Sequence, residues 1–152
     1  MKKPALIPLT ILLALATPSI WGQNKPATPE EESNMLGRLG GAIEDVGAGE
    51  YRTIDQRYIR EALRKLSGIN KEIEKRQYSV RLRWLAHHWY GRAILDSGDP
   101  KRALLLFETA EKEANSLTIS CSTSNSCISD KEKAQNSDFL RQARDKLAAA
   151  QK

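Results

Sequence analysis

Along most of this chain apolar residues recur at steps of three and four, the period of a helix with one buried face. The first such stretch opens at Thr28-Pro29-Glu30-Glu31. Thr28 caps it, Pro29 suits the first turn and Glu31 completes a capping box. Met35, Leu36, Leu39, Ala42, Ile43 and Val46 mark its apolar side, and Gly47-Ala48-Gly49 is expected to end it. Gly37, Gly40 and Gly41 weaken this helix by about 1 kcal/mol each relative to Ala, and their lack of a side chain suits close packing on a neighbour. A second stretch runs from Tyr51 to about Gln77, with Ile54, Tyr58, Ala62, Leu63, Leu66, Ile69 and Ile73 as its stripe and Gly68 as an expected kink or break. Its other face carries Arg57, Arg60, Arg64, Lys65, Lys71 and Lys75 among Glu61, Glu72 and Glu74, the composition of a solvated helix face.

Ser79 caps the third stretch, which runs to about Ser97 with Leu82, Leu85, Ala86, Trp89, Tyr90, Ala93 and Ile94 on its buried side. Gly98 ends it in the position where helices favour glycine. Asp99 and Pro100 restart a helix at once, so the third and fourth helices run antiparallel. The run Ala103-Leu104-Leu105-Leu106-Phe107 covers most of a helix circumference, which predicts that the fourth helix is the most buried. Leu117 to Ser129 is a Ser/Thr/Asn-rich loop. Ser129 and Glu132 form a second capping box for a last helix, Asp130 to Ala150, with Phe139, Leu140, Ala143, Leu147 and Ala150 on one side. No segment alternates with period two over the length of a strand, so the sequence predicts an all-α fold of antiparallel helical hairpins.

The hairpin carries a recognisable pattern. Tyr90-Gly91, Gly98-Asp99, Ala103-x-x-x-Phe107 and Ala110 together resemble a tetratricopeptide repeat, with Gly91, Gly98, Ala103, Phe107 and Ala110 at the family's spacing. His87 stands where that family favours Trp, Tyr90 where it favours Leu, Ile94 where it favours Tyr and Asn115 where it favours Pro. The match covers about 34 residues, the period of one repeat. Gly49-Glu50-Tyr51 with Ile54-x-x-x-Tyr58 echoes it as a degenerate or lengthened second copy, and the last helix takes the place of a capping helix. The resemblance implies a helical domain that offers the inner face of each first helix to an extended peptide. Arg81, Trp84, Leu85, His88, Arg92 and Leu95 would occupy that face. His88 and Arg92, four apart, can hold a carboxylate; the same pair also reads as a solvated stripe. Trp84 reads either as an anchor aromatic or as packing on the preceding helix.

The amino-terminal end departs from this pattern. Lys2-Lys3, the apolar run Ala5 to Ala16 and Thr17-Pro18-Ser19-Ile20-Trp21-Gly22 follow the order of a secretory signal peptide cleaved after Gly22. An apolar run of about a dozen residues falls short of the ~20 that cross a bilayer, which argues against a retained anchor. No Cys flanks the cleavage site and no twin-Arg pair precedes the run. The 152 residues thus divide into a signal at 1–22, a linker at 23–27 and one helical domain at 28–152. The whole chain carries +5; without Lys2 and Lys3 it carries +3, too little for a nucleic-acid footprint. The expected address is the bacterial periplasm or the medium, with no stable membrane insertion after cleavage. Cys121 and Cys127, five residues apart, fit a structural disulfide in that compartment. Closing so short a loop contributes roughly 2–3 kcal/mol on the chain-entropy model.

Catalytic signatures are sparse. His87 and His88 are adjacent, so on a helix they point about 100° apart and do not share an ion, and no His-Glu-x-x-His is present. No Ser-centred nucleophile motif, phosphate loop or paired-carboxylate site appears. The sequence therefore predicts no catalytic residues, metal or cofactor. It predicts a protein or peptide partner in the cell envelope, bound through the helical groove. The competing reading is a small inhibitor or immunity protein that blocks a secreted enzyme with the Cys121–Cys127 loop.

Overall fold

The computed structural model of the chain describes residues 25–51, 56–117 and 127–151. They form five helices and no strand: α1 (Pro29–Tyr51), α2 (Gln56–Ile73), α3 (Val80–Asp96), α4 (Pro100–Ser116) and α5 (Asp130–Ala149). Each helix packs on the next, α3 and α4 most extensively, while α1 also meets α3 and α3 meets α5. Such neighbour-on-neighbour packing is compatible with a helical-repeat build. The expected signal at 1–22 and Cys121 lie outside the described residues, as does Ile54.

The caps set the helix starts. Thr28 Oγ1 accepts from the Glu31 amide while Glu31 accepts from the Thr28 amide at 2.8 Å. Ser79 accepts from Leu82, and Asp99 accepts from Arg102 at 3.1 Å with Pro100 in the first turn. Ser129 and Glu132 complete the second capping box. Between α3 and α4 the chain reverses at Gly98, whose φ of +92° is open to glycine and strained for other residues. The Gly98 amide donates to Leu95 and the Asp99 amide to Ile94, both at 3.1 Å, which closes α3 as a Schellman motif.

Several boundaries differ from the sequence reading. α1 runs through Gly47-Ala48-Gly49 to Tyr51, and α2 begins at Gln56 and stops at Ile73. Gly49-Glu50-Tyr51 is thus helical and is no counterpart of the turn at Gly98-Asp99-Pro100. Gly68 interrupts nothing, because α2 continues through it. A Cβ at Gly37, Gly40 or Gly41 would meet nothing within 4 Å, so these glycines mediate no close packing among the described residues. Gly91 does: a Cβ there would lie 2.9 Å from Phe107 Cε1. The α3–α4 hairpin closes around that ring.

Burial also redistributes. Leu105 is 60% exposed and Leu104 and Leu106 are half-buried, so α4 buries one side only, through Ala103, Phe107, Ala110 and Ala114. The most buried helix is α3, because α1, α2, α4 and α5 all pack against it. In α2 the buried line is Ile59, Ala62, Leu66, Ile69 and Ile73, with Tyr58 and Leu63 only half-buried. An amino-terminal strap completes the fold. Ala27 donates to Gln77 at 3.0 Å and Gln77 donates to Lys25 at 3.5 Å. Arg76 pairs with Glu31, and Glu32 accepts from the Ser79 hydroxyl at 2.9 Å.

Candidate interaction face

The six α3 residues expected to line a peptide groove do not form one open wall. Trp84, His88 and Leu95 are buried, while Arg81, Leu85 and Arg92 are half-buried. The reason is α5. It lies on α4 and touches α3, so its inner residues cover the middle of the stripe. His88 is 1% exposed, and its Nδ1 lies 2.9 Å from Asn136 Oδ1. Asn136 Nδ2 donates to the Phe107 carbonyl at 3.0 Å, which turns the Asn136 oxygen toward the imidazole. His88 therefore carries its proton on Nδ1 when neutral. Its ring stacks on Trp84 at 4.9 Å and meets Trp89, Phe107 and Phe139 edge-on. Burial pushes the His88 pKa below its usual value; Arg92 pushes the same way, and the Asn136 bond and Glu132 oppose. Trp84 packs with Ala110, Ala114 and Ile128 in a second small core. Both expected roles for Trp84 give way to a third, because its neighbours belong to the following helix and the entry to α5.

Arg81 closes the amino-terminal edge of the same contact. Its guanidinium donates to both Glu132 oxygens, at 3.0 and 3.3 Å, and to the Cys127 carbonyl. Glu132 also accepts from the Ser129 amide at 2.8 Å. Burial raises the Glu132 pKa, but the bonds from Arg81 and Ser129 outweigh it and hold the carboxyl below its ordinary value. His87 turns the other way, to Glu113 of α4 at 2.8 Å, where Arg83 joins at 3.4 Å. The adjacent histidines thus serve different helices. Among the described residues no three His, Cys, Asp or Glu side chains gather in a metal-holding group, and no helix is long and apolar enough to cross a membrane.

What stays open is a strip running from α1 across α3 to α5. Leu36 of α1 is 54% exposed and lines a largely apolar hollow of about 410 Å³ with Leu82 and Leu85, rimmed by Arg81 and Glu32. Further along, the Arg92 guanidinium lies 5.1 Å over the Trp89 ring and 4.7 Å over Phe139, all three half-buried. Sequence reasoning missed Leu36 as an open-face residue, having placed it in the core stripe of α1; Trp89 and Phe139, placed in the stripes of α3 and α5, do pack against the core but keep part of each ring at the surface. It also missed Asn136, although Asn136 sits four residues before Leu140 on the α5 stripe. No known family model matches the chain, and no curated protein or solved structure matches it.

Proposed function

We propose that the chain is a secreted, periplasmic interaction module of tetratricopeptide-like build. It binds a partner protein or peptide of the cell envelope along the α1–α3–α5 strip, as an adaptor or assembly factor and not as an enzyme. The build is supported by the hairpin itself: Gly91 against Phe107, Gly98 at the turn, and Ala103 and Ala110 buried beneath. The observation that carries the binding role is the exposed Leu36 beside Leu85 at the apolar hollow. An apolar side chain left in water forgoes stabilisation that a partner's side chain would restore.

Affinity capture from envelope extracts tests this, with the wild-type chain, Leu36→Glu, and a deletion of residues 122–126 as baits. A partner lost with Leu36→Glu and kept with the deletion supports the strip. A partner lost with the deletion and kept with Leu36→Glu supports the inhibitor reading instead. Amino-terminal sequencing of the chain recovered from the periplasm tests export, with Gln23 as the expected first residue.

A further inference from the structure

A second surface lies across the amino-terminal hairpin, on the crest of α2. Arg57, Arg60, Arg64 and Lys71 are all exposed and follow one another at steps of three, four and seven, with exposed Gly68 on the same line. Such steps place side chains on one edge of a helix, and here that edge is roughly 21 Å long at 1.5 Å per residue. Lys75 extends the line into the turn after α2. The flanks of the crest mix their signs, Arg38 pairing with Glu72 and Lys65 with Asp45, as α5 does where Arg141 pairs with Asp138. On the crest of α2 cations neighbour cations, which destabilises a helix in the free protein. Arg64 has Glu61 beside it at 2.6 Å, whereas Arg60 and Lys71 take part in no ion pair among the described residues. A glycine inside the same helix adds to the local cost.

Beside the crest, on the seam between α1 and α2, lies a hollow of about 430 Å³ lined by Gly37, Gly41, Gly68 and Ile69 together with the cationic Arg38, Arg64 and Lys65. A Cβ at any of those glycines would meet nothing within 4 Å, so the hollow is open to something approaching from outside. Among the described residues α5 packs on α3 and α4 and not on α1 or α2, and only α1 and α2 contribute to the lining of this hollow.

We propose that this crest and seam dock an acidic helix of a partner protein. Its carboxylates, spaced three and four apart, would face Arg60, Arg64 and Lys71, and an apolar side chain beside them would enter the glycine-lined hollow. A plane of anionic lipid headgroups matches the cations but has nothing of that depth to place in the hollow, so the seam favours the helix. This surface is separate from the α1–α3–α5 strip, and the two stand or fall apart.

The test uses the full chain and a synthetic 20-residue helical peptide with Glu at the matching spacing and Leu beside it. Nuclear magnetic resonance titration should move the amides of Gly37, Gly41, Arg64 and Gly68, with affinity falling as salt rises. Arg60→Glu/Arg64→Glu/Lys71→Glu should weaken binding by about tenfold or more, and Leu36→Glu should leave it unchanged. Arg60→Gln/Lys71→Gln, which leaves the Glu61–Arg64 pair in place, should weaken it less, and far-UV circular dichroism checks that each variant is folded. The proposal is overturned by no binding, by shifts elsewhere on the molecule, or by affinity indifferent to the reversal. It is also overturned if vesicles of phosphatidylglycerol bind more tightly than the peptide and lose that binding on reversal, which would make the crest a lipid contact.

Discussion

Two glycine-to-alanine substitutions separate local helix propensity from tertiary packing. At Gly91 an added Cβ would lie 2.9, 3.1 and 3.2 Å from three atoms of the Phe107 ring. Phe107 is fully buried and cannot slide freely, because its ring stacks on Phe139 at 5.8 Å and meets His88 edge-on at 6.0 Å. Overpacking of this kind costs about 1–3 kcal/mol, against a gain of about 1 kcal/mol from replacing a helix-interior glycine. Gly91→Ala is therefore expected to destabilise the domain by about 1 kcal/mol. Gly68 sits in the interior of α2 with open space around its Cβ position, so Gly68→Ala keeps the whole propensity gain, about 1 kcal/mol. The two variants should differ by about 2 kcal/mol, or about 1 M in urea midpoint at a typical slope. Urea unfolding followed by circular dichroism reads the difference directly. A Gly91→Ala midpoint at or above that of the wild type would refute the reasoning, because it would show that the Phe107 ring relaxes without penalty.

Two further outcomes follow from the buried His88. Its folded pKa lies below the unfolded value, so the stability this group contributes is fully present above about pH 6.5 and declines as the pH falls below it. Glu132, held low, enters only below about pH 4.5. Urea midpoints should therefore fall between pH 7.5 and pH 5 in the wild type and fall much less in His88→Gln; equal slopes would show that His88 does not titrate as its burial requires. Asn136→Ala would leave the His88 Nδ1–H without its acceptor and the Phe107 carbonyl without the amide that now reaches it. The expected loss is about 2–3 kcal/mol, with hydrogen exchange rising first in α5. Exchange rising evenly over all five helices would place the role of Asn136 elsewhere.

The parts of the fold legible in the sequence are those decided by chemistry within a few residues. Thr28, Ser79, Asp99 and Ser129 each bond an amide three residues on, so their helix starts are written locally. Gly98 is legible for the same reason, since the reversal needs a positive φ at that residue. The end of α1 is not, because glycines lower helix propensity without forbidding the helix, and packing through Leu39, Ala42 and Val46 carries α1 past them. The Leu104-Leu105-Leu106 run misled because its three side chains point around the helix while neighbours cover only one side. The candidate interaction face was legible only in part. The stripe from Arg81 to Leu95 is real as a line on α3, but periodicity does not say that α5 lies against its middle. Asn136, which fixes that placement, looked like one more polar residue.

The strap at the amino-terminal end has a mechanical consequence. Through Gln77 and Ser79, residues 25–32 are bonded to the corner where α2 passes into α3. Tension applied at Lys25 therefore reaches the middle of the chain before it reaches the length of α1, loading the Ala27–Gln77 and Gln77–Lys25 bonds and the Arg76–Glu31 pair first. A tether fixed upstream would pull on that clasp and pass its load into the α2–α3 corner, so that α1 is bypassed for as long as the clasp holds.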